Sequence, residues 1–159
     1  DVAFEMSGDS VVFVHEHADG SSHVHRYNLV SGFLETVADR PDVTPTDLTA
    51  SPVEPSDLAW TESRSTMNSM AYVYVAGSAG PVVASDPEGD HVSRPLGWLP
   101  GHRLLVASAW AGSTDGTFDL WVWSPDGMTN VLDGVSAAAA RTVHGAYNEL
   151  PLQLGSGFG

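Results

Sequence analysis

Four histidines stand in two short pairs, His15-Glu16-His17 and His23-Val24-His25, on either side of a turn at Ala18 to Ser22. Imidazole is a good ligand for zinc, nickel and copper at neutral pH. Residues two apart on a strand share a face, so each pair puts both rings on one side. Folding the two runs into a hairpin sets His15 opposite His25 and His17 opposite His23. The same register sets Phe13 opposite Tyr27 and Val11 opposite Leu29. Facing Cβ atoms in such pairs lie about 5 Å apart, so two or three rings are expected to meet one Zn²⁺ or other divalent transition-metal ion. Glu16 points to the other face. The plainer reading is a solvated, polar hairpin end without closing geometry or supporting partners for the rings. A slip of one residue would disperse the cluster. Four such rings would also repel one another once protonated.

Other chemistry is sparser. Ser85-Asp86-Pro87-Glu88-Gly89-Asp90 offers three carboxylates to a cation such as Ca²⁺, without EF-hand spacing. Acids in such a turn usually face water. Gly-x-Ser-x-Gly, the strand-to-helix turn that presents a nucleophilic serine, does not occur. The five tryptophans suit packing on strands. Trp110, at a strand end beside the polar turn Ala111 to Thr117, is the one expected to meet a partner, together with Ser113 and Asp115. No cofactor is required by any of these patterns, and no catalytic residue is assigned.

Composition narrows the partners. Twenty Asp and Glu face six basic residues, all Arg, for a net charge of −14. Such a surface repels nucleic-acid phosphates and anionic headgroups, so nucleic acid is not an expected partner. A GC-rich coding sequence alone would also favour Arg over Lys. No apolar run approaches the length of a membrane-spanning helix, so membrane insertion is not expected either. Without Cys there is no disulfide, thiol nucleophile or thiolate ligand. Asp1 is not an initiator Met, so the chain reads as a processed product or an excised segment.

The elements that must position these residues are strands. Sixteen Gly and ten Pro break up any long helix, and the only helix-friendly run is the short Ser136 to Arg141. Apolar runs fall at Val11 to His17, His23 to Val30, Phe33 to Ala38, Asp57 to Ser63, Met70 to Ala76, Pro81 to Ser85, Arg103 to Trp110, Phe118 to Trp123 and Met128 to Leu132. Turn positions Ser7, Ser51, Leu99 and Tyr147 recur at intervals of 44 to 48 residues. A period in the forties with about four strands per unit predicts an all-β chain of β-propeller blades, about three units plus a partial fourth. The approximate units are 4–40, 41–92, 93–135 and 142–155, within one propeller-like domain, 1–159. Runs such as Val11-Val12-Phe13-Val14 and Leu104-Leu105-Val106-Ala107 are apolar on both faces, as sheets stacked between neighbours should be. A simple antiparallel sandwich is the competing reading.

Met6-Ser7-Gly8-Asp9 before Val11-Val12-Phe13, with Asp19-Gly20 in the next turn, resembles the TolB-type propeller repeat, a relative of WD-type blades. So does Leu99-Pro100-Gly101 before Arg103-Leu104, followed by Asp115-Gly116, Asp119-Leu120-Trp121-Val122 and Ser124-Pro125-Asp126-Gly127. Unit two keeps Ser51-Pro52 and Tyr72-Val73-Tyr74-Val75 but has Ser65-Thr66-Met67-Asn68 in place of the Asp-Gly turn. Ser113-Thr114-Asp115-Gly116 is similar to the Asp-box of sialidase propellers, with Thr117 where that motif needs Gly. The TolB-type resemblance implies a non-enzymatic scaffold that binds a protein or peptide, in an extracytoplasmic (periplasmic or secreted) setting. Its alternatives are a gating propeller segment of an oligopeptidase-like hydrolase and a His-rich metal-binding β module. Three units and a fraction leave a ring incomplete. The chain is therefore expected to be a segment of a larger propeller or to self-associate.

Overall fold

The computed structural model describes residues 4–65, 69–82, 91–110 and 117–136. It is all-β, in two open sheets. The first sheet is a meander of β1 (Phe4–Ser7), β2 (Ser10–Glu16), β3 (Ser22–Asn28) and β4 (Leu34–Arg40). The second holds β5 (Thr46–Ala50), β6 (Leu58–Ser65), β7 (Ser69–Val75), β8 (His91–Leu99), β9 (Arg103–Trp110), β10 (Thr117–Ser124) and β11 (Gly127–Ser136), each beside the next. All pairings are antiparallel except β7 with β8, which meet in parallel at Ala71 and Val92.

Three strands lie outside the apolar runs read from the sequence. β1 is only four residues long, beside the Gly8-Asp9 turn. β5, Thr-Asp-Leu-Thr-Ala, has one buried apolar residue, Leu48, and an irregular register with Asp47 at φ 47°. β8 carries Pro95 and Gly97, residues that weaken a strand pattern, and its pairing with β9 is irregular between those two positions. Each of these strands begins a four- or three-stranded stretch of the chain. They also lie side by side, β1 against β5 and β5 against β8.

Period-two alternation splits the core into layers. On β6, Leu58 and Trp60 face one way with Tyr74 of β7, and pack on Val12, Val24 and Leu48. Ala59, Val73 and Val75 face the other way and pack on Trp98, Leu104 and Val106, with Trp121 and Trp123 against them. The β5–β7 portion is thus apolar on both faces, between the first sheet and the β8–β10 strands. A third cluster joins Ala107, Ala109, Phe118, Leu120 and Val135.

Polar contacts fasten the first sheet to the second. The Ser7 hydroxyl donates to the Ser51 carbonyl at 2.7 Å, in a buried position. Arg40 at the end of β4 pairs with Glu62 of β6, whose side chain is 1 % exposed. The Trp60 Nε1–H donates to the same carboxylate at 2.7 Å. The Arg40 guanidinium also sits 4.7 Å over the Tyr74 ring, a cation–π contact. The Glu62 hydrogen bond raises the Arg40 pKa further above its ordinary value. Among the described residues, no helix is long and apolar enough to cross a membrane.

Candidate functional site: the outer face of the first sheet

The β2–β3 hairpin brings all four histidines together, in a different register from the one expected. His15 pairs with His23 and Phe13 with His25, while Val11 pairs with Tyr27. The slip is two residues, and its cause lies in the turn. Asp19 Oδ1 accepts from the Ser21 amide at 3.0 Å and from its hydroxyl at 2.7 Å, an Asx turn. These bonds hold the Asp19 carboxyl below its usual range. They draw Ser21 into the loop, where its carbonyl accepts from the His17 amide at 2.8 Å. His17 therefore closes the loop with Ser21 and does not pair with His23. A slip of two keeps every side chain on its face, as a slip of one would not.

The rings form a compact quartet. Ring centroids are 4.3 Å apart for His15 and His17, 4.6 Å for His17 and His23, and 5.5 Å for His23 and His25. His17 Nε2 and His23 Nδ1 are 3.4 Å apart. The other nitrogen of His23, Nε2, faces Asp39 Oδ1 at 3.3 Å. His25 Nδ1 is 3.2 Å from the Thr36 hydroxyl. Its pKa is lowered, first by burial and then by the neighbouring histidines, against a raising backbone contact at Glu35. Among the described residues, no three His, Asp or Glu side chains are already gathered as a ligand set.

The quartet is one end of a longer strip. Pairing sets Phe4 beside Phe13, His25 and Thr36, and sets Met6 beside Val11, Tyr27 and Leu34. Unlike the inner face, this face has no layer packed on it among the described residues: Phe4 is 65 % exposed, Met6 51 % and Leu34 53 %. Leu29, Val30 and Phe33, at the β3–β4 turn, are exposed as well, with Phe33 set against Asn28 and so on the other parity from Leu34. Asp39 is the one acid among the paired strand residues of the strip, and it faces His23. Phe4, Met6 and Asp39 were not singled out by the sequence reading. The parity of the histidine hairpin, carried outward to β1 and β4, is the signal that finds them.

The other candidates fare differently. Trp110 ends β9; its side chain lies outside the described residues, as do Ser113, Asp115, the Asp86–Asp90 turn and the partial fourth unit at 142–155. Trp60 and Trp98 are buried core. A further polar pair joins His102 to Asp57, with Nδ1 2.8 Å from Oδ1. Its signal in the sequence was faint, a histidine beside Gly101 in a turn. No family model, curated protein or solved structure matches the chain.

Proposed function

We propose that this chain is a non-enzymatic binding module of blade-like sheets, and that it self-associates through the outer face of its first sheet. The observation that carries this is the apolar strip of Phe4, Met6, Tyr27 and Leu34, exposed on the outer face of the first sheet. Exposed contiguous apolar surface marks contact sites. The opposite face of the same sheet is already packed on Leu58, Trp60 and Tyr74. The blade reading is supported by the β5–β7 layer, apolar on both faces, and by the adjacency of β1, β5 and β8, the leading strand of each unit.

A second copy is the occupant that the chemistry favours. The chain carries a net charge of −14, yet the strip keeps one acid, taken by His23. Two such strips can meet about a two-fold axis without opposing carboxylates at the contact. Light scattering tests this. At high micromolar concentration the chain is expected at twice its 16.8 kDa mass. Met6→Asp/Leu34→Asp, with unchanged circular dichroism, is expected to run as a monomer. A parent chain that stays monomeric, or a variant that stays dimeric, overturns the proposal.

A further inference from the structure

We infer that His17, His23 and His15 form a binding site for one divalent cation of the zinc class. The inference is independent of the proposed association. The separation of His17 Nε2 and His23 Nδ1, 3.4 Å, is long for a hydrogen bond between two rings. It matches the edge of a tetrahedral zinc site, about 3.3 Å for Zn–N bonds of about 2.0–2.1 Å. An ion in place of the proton between them would be shared by both nitrogens.

His23 is also oriented as a ligand would be. With Nδ1 toward His17, its Nε2–H faces the Asp39 carboxylate at 3.3 Å. A carboxylate on the far nitrogen fixes the tautomer and raises the basicity of a ligating histidine. This is the supporting partner whose absence was the plainer reading of the sequence. His15 supplies the third nitrogen by side-chain rotation, since its ring lies 4.3 Å from that of His17 and its backbone is paired with His23. His25 is held by Thr36 at 3.2 Å and packs against His15 and His23 as the wall of the site. The His23 side chain is 30 % exposed, so an ion can enter from solvent.

Calorimetric titration of the full chain with Zn²⁺ tests the site. One Zn²⁺ per chain is expected. His17→Asn and His23→Asn should each abolish saturable binding, and Asp39→Asn should weaken it about 10- to 100-fold. His102→Asn, remote in sequence and bonded to Asp57, should bind as the parent does. Met6→Asp/Leu34→Asp should also keep the one-to-one stoichiometry, so loss of association and loss of metal are read separately. Binding that survives His17→Asn/His23→Asn would assign the zinc to the acidic surface and overturn the inference. So would no binding by the parent, or zinc uptake lost in Met6→Asp/Leu34→Asp, which would require two chains.

Discussion

Arg40 and Glu62 tie the two sheets together through a contact in which one partner is almost fully buried. Replacing Arg40 alone leaves the Glu62 carboxylate in the interior with the Trp60 N–H but no cation. Arg40→Met is expected to cost about 3 kcal/mol in urea unfolding, as breaking a buried pair does. Arg40→Met/Glu62→Gln, which removes the stranded charge and keeps an acceptor for Trp60, should recover more than half of that loss. A double variant no better than the single one would show that the pair matters for packing and not for charge. The His102–Asp57 pair gives a pH signature. The Asp57 hydrogen bond and charge, aided by Glu54, raise the His102 pKa above 6.5. Its contribution is therefore complete below pH of about 6.5 and fades as pH rises through the raised value. The difference in melting temperature between the parent and His102→Asn should be largest near pH 5.5 and shrink toward pH 9. A constant difference would assign His102 a conformational role only, at its φ of 57°.

At the scale of elements, hairpins carry the design. Ser124 pairs with Gly127 across the β10–β11 turn, and Gly127 has φ 138°. A Cβ there would meet nothing within 4 Å, so Gly127→Ala tests backbone strain without a clash. The expected loss is about 1–2 kcal/mol, measured by thermal unfolding, since L-residues resist this region; no loss would mean that the turn re-forms at negative φ.

The hairpins with apolar alternation were legible from sequence, Arg103 to Trp110 with both its ends. The three leading strands were not. β5 is polar, β1 is short and exposed, and β8 contains Pro95 and Gly97 at an irregular pairing. Their backbones find partners that side-chain patterning does not announce. The candidate site was half legible. Alternation placed four histidines on one face, but the pairing partner depended on how Asp19 and Ser21 close the turn, a hydrogen-bond detail below the resolution of periodicity. Glu62 was equally hidden, because a glutamate mid-strand reads as solvent-facing until Arg40, 22 residues away, is brought against it.

At the scale of the whole molecule, the layers differ in how they are finished. The β5–β7 strands are covered on both faces. The first sheet is covered on one, and its other face ends in apolar side chains beside a histidine quartet. Hydroxyl-radical footprinting across a concentration series reads that face directly. Phe4, Met6 and Tyr27 are expected to lose reactivity together as concentration rises through the dimerisation range, while Val53, 71 % exposed on the loop before β6, keeps its reactivity. Unchanged labelling of Phe4, Met6 and Tyr27 at concentrations where the chain is dimeric would place the contact elsewhere and contradict the self-association proposed for the first sheet.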